Sequence, residues 1–129
     1  MNYGPDAGKP KLKPAFWIAG SKQDLRECPA EVRSEIGHAI EIAQRGGKDP
    51  SAKPLKGFGD AGVLEVVENH RGDTYRAVYT VRFAEALYVL HVFQKKSKSG
   101  MATPQHEMNL IERRFKTAAL DHQQRFTEK

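Results

Sequence analysis

The residues best suited by type and spacing to do chemistry are basic. Phe93-Gln94-Lys95-Lys96-Ser97-Lys98 closes an apolar run with three lysines and no acid, and Arg76 lies in the strand-like run before it, Thr74-Tyr75-Arg76-Ala77-Val78. Cations held together in this way stabilise phosphate oxygens, and a lysine whose pKa is lowered by cationic neighbours can also move protons. Attack of a ribose 2′-OH on the adjacent phosphodiester calls on both services. Negative charge on the phosphoryl group must be stabilised, a proton must leave the nucleophile, and another must reach the leaving 5′-oxygen. Phosphate binding without cleavage uses the same groups and asks less of them, so the residues alone leave binding and catalysis both open.

Other chemistries find no support. There is no glycine-rich phosphate loop between a strand and a helix, no paired set of metal ligands and no Ser-His-Asp pattern, so neither a metal nor a cofactor is expected. His38, His70, His91, His106 and His122 are scattered. His91 falls in an apolar strand and reads as a hydrogen-bonded core histidine, whereas His70 falls in a turn and reads as exposed. A single Cys28 excludes an internal disulfide and a cysteine-based zinc site, and reads as a small buried or half-buried residue. The carboxylates lie mostly on helix surfaces, where solvation or i,i+4 pairing explains them.

Charge is concentrated. Segment 45–56 carries four basic residues against one acid and segment 95–98 three against none, a surplus larger than the net charge of +5. Such patches suit a polyanion such as nucleic acid, and lysines kept for solubility would look the same. At 129 residues the chain is expected to form one domain. No apolar run approaches the roughly 20 residues needed to cross a bilayer, and residues 1–6 lack the basic start and apolar stretch of a signal peptide, so a cytoplasmic protein without membrane contact is expected.

Several elements must position these cations. Residues 1–12 hold two prolines and two glycines and read as a flexible tail. An apolar run at 14–19 reads as a first strand, and Ser21 with Asp24 three places on reads as the cap of a short helix. Pro29 suits the first turn of a second helix, whose apolar stripe is Val32, Ile36, Ala39, Ile40 and Ala43 and whose end is marked by Gly46-Gly47. Residues 48–62 read as a loop, 63–68 as a strand and 69–73 as a turn. The run 74–82 alternates, with Tyr75, Ala77, Tyr79 and Val81 facing the helices and Thr74, Arg76, Val78, Thr80 and Arg82 on a face that presents arginines. Residues 87–93 are apolar on both faces, as in an interior strand. Thr103 as cap and Pro104 in the first turn begin a last helix with stripe Met108, Ile111, Phe115 and Ala118, and 123–129 is expected to fray. The predicted fold is α+β, in the order β-α-α-β-β-β-α with a mainly antiparallel sheet, as one domain over 13–122.

Leu55-Lys56-Gly57, Val63-Leu64-Glu65-Val66, Tyr75-Arg76-Ala77-Val78-Tyr79-Thr80-Val81 and His91-Val92-Phe93-Gln94-Lys95-Lys96-Ser97 together resemble the RelE/HigB toxin superfamily, most of all its HigB-like, phage-derived branch, over residues 14–120. The resemblance implies a RelE-like fold and the toxin of a type II toxin-antitoxin pair, an mRNA interferase that enters the ribosomal A site and cleaves translated mRNA without a metal. It implies a helix-turn-helix antitoxin as partner, with operator DNA reached only through the complex. Carried over by position, Arg76 would contact the scissile phosphate, and Lys95 and Lys96 would form the catalytic basic pair. Lys53 and Lys56 would grip RNA backbone, with Arg71, Arg82 and Lys98 completing the RNA-binding set. Two positions depart from RelE. Glu65 stands near positions where RelE has lysines and is expected to pair with a nearby arginine, and Gly100-Met101-Ala102 occupies the region of a RelE tyrosine. Two other readings are a binding module of the same fold that has lost catalysis, and a phage-derived structural or regulatory protein whose basic patch meets an acidic partner.

Overall fold

The computed structural model describes residues 12–95 and 103–126. The elements are β1 (Ala15–Trp17), α1 (Ser21–Arg26), α2 (Ala30–Gln44), β2 (Lys53–Pro54), β3 (Val63–His70), β4 (Asp73–Thr80), β5 (Leu87–Lys95) and α3 (Gln105–Phe126). The five strands form one sheet in the order β1-β5-β4-β3-β2, in which only the β1–β5 pair is parallel. The α+β class and the mainly antiparallel sheet therefore agree with the sequence pattern. The addition is β2, inside the segment read as a loop. It pairs Lys53 with Glu65 and Pro54 with Leu64, and a two-residue edge strand containing proline is too short to show alternation.

The sheet is covered on both faces. On one, Val32, Ile36, Ala39 and Ala43 of α2 pack with Leu64, Val66, Ala77, Tyr79 and Val89. On the other, Ile111 and Ala118 of α3 pack with Val63, Val78, Tyr88 and Leu90. The face expected to present arginines is thus a second core face, and Arg76, Val78 and Thr80 are all buried there. Alternation separates two faces but does not reveal that a helix distant in sequence covers the second. The interior position of β5, between β1 and β4, matches its apolar character on both sides.

Element ends differ in instructive ways. Ser21 lies inside α1 behind Gly20, and its hydroxyl donates to the Val89 carbonyl at 3.3 Å instead of capping. Pro29 immediately precedes α2, and Gly46 at φ 91° terminates it. β3 runs on to His70, so the hairpin turn is Arg71-Gly72 alone, both at positive φ (51° and 88°), the backbone that two-residue hairpins favour. His70 is half-buried with Nδ1 3.1 Å from Glu31 Oε1, not the simply exposed turn residue expected. Helix α3 continues past Gln123 through Phe126 because its last turns are anchored. Asp121 accepts from Tyr88 Oη at 2.5 Å and from Arg125 Nε at 2.6 Å, and the His122 ring stacks on Phe83 with centroids 4.4 Å apart. Residues 1–11, nearly all of the expected tail, lie outside the described residues.

Candidate functional site

Strand register builds the site. Directly paired residues on neighbouring strands point to the same face, and on the α3 side three rows follow one another: Lys53, Glu65, Val78 and His91; then Val67, Arg76 and Phe93; then Asn69, Thr74 and Lys95. The rows put Lys53, Arg76 and Lys95 on one face, one in each of the three successive rows and on strands β2, β4 and β5. β5 accommodates an extra residue opposite the Val78/Tyr79 step, a bulge that keeps His91 and Phe93 on this side with their rings stacked at 4.6 Å.

The centre of the patch is an ion pair. Arg76 Nη1 donates to Glu65 Oε2 at 2.5 Å, with side chains 5% and 14% exposed. Thr103 Oγ1 donates to the same oxygen at 3.2 Å, so the residue expected to cap α3 instead ties the approach to that helix to the ion pair. Glu65 is the structural partner of an arginine that the sequence suggested, and the arginine is Arg76.

A second polar cluster is centred on His91, in the same row as Glu65. His91 Nε2 is 2.6 Å from Glu107 Oε1, and Arg114 Nη1 is 3.2 Å from His91 Nδ1 and 3.0 Å from the Leu90 carbonyl oxygen. A guanidinium only donates, so Nδ1 is the acceptor and the imidazole carries its proton on Nε2, directed at Glu107. Burial pushes the His91 pKa down, against the opposing pull of Glu107, and burial also lowers that of Arg114. His91 is the buried, hydrogen-bonded histidine the sequence indicated. Glu107 and Arg114 are not among the residues the sequence singles out, yet they carry a signal: they stand four residues before Ile111 and four before Ala118, and so lie in the apolar stripe, where a charged side chain needs a buried partner.

The remaining basic residues are dispersed. Lys53 is exposed on the edge strand beside Glu65, and Lys95 is buried at the end of β5 opposite Thr74. Lys56 is exposed on the loop that follows β2, and Arg71 is exposed at the β3–β4 turn. Arg82 is exposed beyond the far end of β4; six residues of extended chain put it about 20 Å from Arg76. Lys96 and Lys98 lie outside the described residues. A cavity of about 380 Å³ beside β5 is lined by Asp24, Glu27, Cys28, Tyr75 and Phe93 among others. Its two carboxylates suit a phosphate chain poorly. Cys28 is buried, its thiol donating weakly to the Asp24 carbonyl at 3.5 Å, and burial raises its pKa, as fits a packed thiol. No cluster of three or more metal-binding side chains occurs among the described residues.

A family model described as phage derived protein Gp49-like matches residues 23–116. No curated protein matches the chain. Among solved structures, a mutant of the E. coli toxin RelE in the free state is similar, with 17% identity, 64% of this chain and 82% of that one covered, and a TM-score of 0.46. The toxin-antitoxin complex RelBE2 from Mycobacterium tuberculosis is also similar, with 20% identity, 67% and 94% covered, and a TM-score of 0.40.

Proposed function

The chain belongs to the phage-derived Gp49-like family, and on that premise we propose that it is the toxin of a type II toxin-antitoxin pair, an mRNA interferase acting in the ribosomal A site. The observation that carries the proposal is that Lys53, Arg76 and Lys95 share the α3 side of the sheet, from strands β2, β4 and β5. Cations gathered on a rigid sheet suit a phosphate, because they need no reorganisation when charge develops on it.

In this reading Arg76 stabilises the phosphoryl oxygens, while Lys95 and Lys96 move protons. Lys53 and Lys56 hold RNA backbone on the β2 side. Arg71 and Arg82 flank the centre at opposite ends of β4 and would meet other phosphates, as would Lys98. The reaction needs no metal or organic cofactor. A helix-turn-helix antitoxin neutralises the protein, the complex reaches operator DNA, and the site of action is the cytoplasm.

One observation favours a second reading. Arg76 is buried and bonded to Glu65, which would also suit a nucleic-acid or partner-binding module that has lost catalysis and works through its exposed lysines. Expression in a host separates the two. A nuclease arrests growth, and Arg76→Ala or Lys96→Ala relieves the arrest while the protein still folds. Absence of arrest with the wild-type chain favours the binding module, and arrest that persists in both variants removes these residues from the site.

A further inference from the structure

We infer that the cavity between α1 and the edge of β5 binds a linear polyamine, an alkyl chain carrying two or more ammonium groups. The inference goes beyond the nuclease reading and does not depend on it. Strand lengths make the cavity. β1 pairs with β5 only from Leu87 to Val89, so beyond Val89 the outer edge of β5 has no strand neighbour among the described residues, and α1 packs there instead. The space left between them is about 380 Å³, with Asp24, Glu27 and Cys28 on the α1 side and Tyr75, Val92 and Phe93 on the sheet side. That volume falls within the range of small-molecule sites, about 300–1,000 Å³.

The lining is that of a cation receptor. Asp24 and Glu27 are one helical turn apart, the Glu27 N–H donating to the Asp24 carbonyl at 3.3 Å, so their Cβ atoms are about 5–6 Å apart on one side of α1. Neither carboxylate forms an ion pair with a described residue. Glu27 accepts from the neutral Gln23 amide at 3.2 Å. Arg33 is close by, but its Nη1 donates to the Cys28 and Arg26 carbonyls at 2.8 and 3.3 Å. Two carboxylates thus face a cavity without a compensating cation, in a chain of net charge +5.

Tyr75 points to a ligand independently. It lines the cavity and is only 9% exposed, yet its hydroxyl makes no hydrogen bond with a described residue. Burial, then Asp73 and the Cys28 thiol, push its pKa up, so the hydroxyl stays neutral and offers a lone pair to an N–H donor. The Tyr75 and Phe93 rings supply aromatic walls for an ammonium group, and Val92 supplies an apolar surface for methylenes. The carboxylates repel an anion, and a bare divalent ion would lack a cluster of three or more ligating side chains among the described residues. Ammonium groups three or four methylenes apart match the spacing of the two carboxylates, which a single guanidinium or monoamine does not.

The test is titration calorimetry of the full-length protein, freed of nucleic acid, with spermidine in about 0.15 M salt. Saturable binding of one spermidine with a Kd below about 1 mM is expected, with butane-1,4-diamine weaker and butylamine weaker still. Asp24→Asn combined with Glu27→Gln should weaken spermidine binding at least about tenfold, and Tyr75→Phe about three- to tenfold. Glu112→Gln, which removes an exposed acid on α3, should change it less than about twofold. Absence of saturable binding overturns the assignment, as does a double variant that binds like wild type. Magnesium chloride that competes as well as spermidine at equal ionic strength shows diffuse counterion binding and also overturns it. Ethylguanidine binding more tightly than spermidine overturns it in favour of a socket for an arginine of a protein partner. If the double variant does not fold, Tyr75→Phe decides, and unchanged affinity there overturns the assignment.

Discussion

Arg76 and Glu65 meet diagonally across the β3–β4 pairing: Arg76 is opposite Val67 and Glu65 opposite Val78, yet Nη1 reaches Oε2 at 2.5 Å. The bond turns both side chains toward one another along the α3 face, where Thr103, just before α3, also donates to Glu65. The buried guanidinium is tolerated there because the half-buried carboxylate neutralises it.

Removing one partner should therefore be costly. Glu65→Ala is expected to reduce the free energy of unfolding by about 3–5 kcal/mol, since it removes the carboxylate paired with a buried guanidinium, whereas the apolar pair Glu65→Leu with Arg76→Met should cost less than either single change. Urea denaturation of the four proteins measures this. A loss below about 1 kcal/mol for Glu65→Ala would mean that water reaches Arg76 freely.

The His91 cluster should make stability depend on pH. Burial lowers the His91 pKa in the folded protein, so between the folded value and the unfolded value of about 6.5 the unfolded chain binds more protons. Its contribution is complete above the unfolded value and is lost as pH falls through the folded one. Urea titrations at pH 7.5 and pH 5 should show wild type losing stability on acidification, and His91→Gln losing less. Equal losses in the two proteins would place the acid sensitivity elsewhere.

Tyr79 gives a third case. It is fully buried on the α2 side, its hydroxyl has no hydrogen-bond partner among the described residues, and burial pushes its pKa up to about 12. Tyr79→Phe removes an unpaired polar atom without changing the ring and should stabilise the fold by about 1 kcal/mol. Destabilisation on thermal or urea unfolding would show that the hydroxyl is satisfied.

Much of this was legible in the sequence. Helix α2 declared itself through its apolar spacing and closing glycines, and β4 through its alternation, because both patterns are local. The burial of Arg76 was not, since it depends on α3 returning over the sheet from residues 105–126, and alternation is silent on which face a distant element covers. Glu65 could be guessed as an arginine's partner from the opposite charges on two adjacent strands. Thr103, on the other hand, read as a helix cap, and its hydrogen bond to Glu65 spans 38 residues. The cationic face itself was half visible: Lys95 and Arg76 stood in recognisable runs, while Lys53 joined them only through a two-residue strand with no periodicity to reveal it.

Sequencing of mRNA 5′ ends after induction, beside the Arg76→Ala protein, tests the central claim most directly. Wild type should generate new ends inside translated reading frames, in register with codons, and Arg76→Ala should not. Growth arrest without new mRNA ends, or the same ends in Arg76→Ala, would contradict an mRNA interferase centred on Arg76.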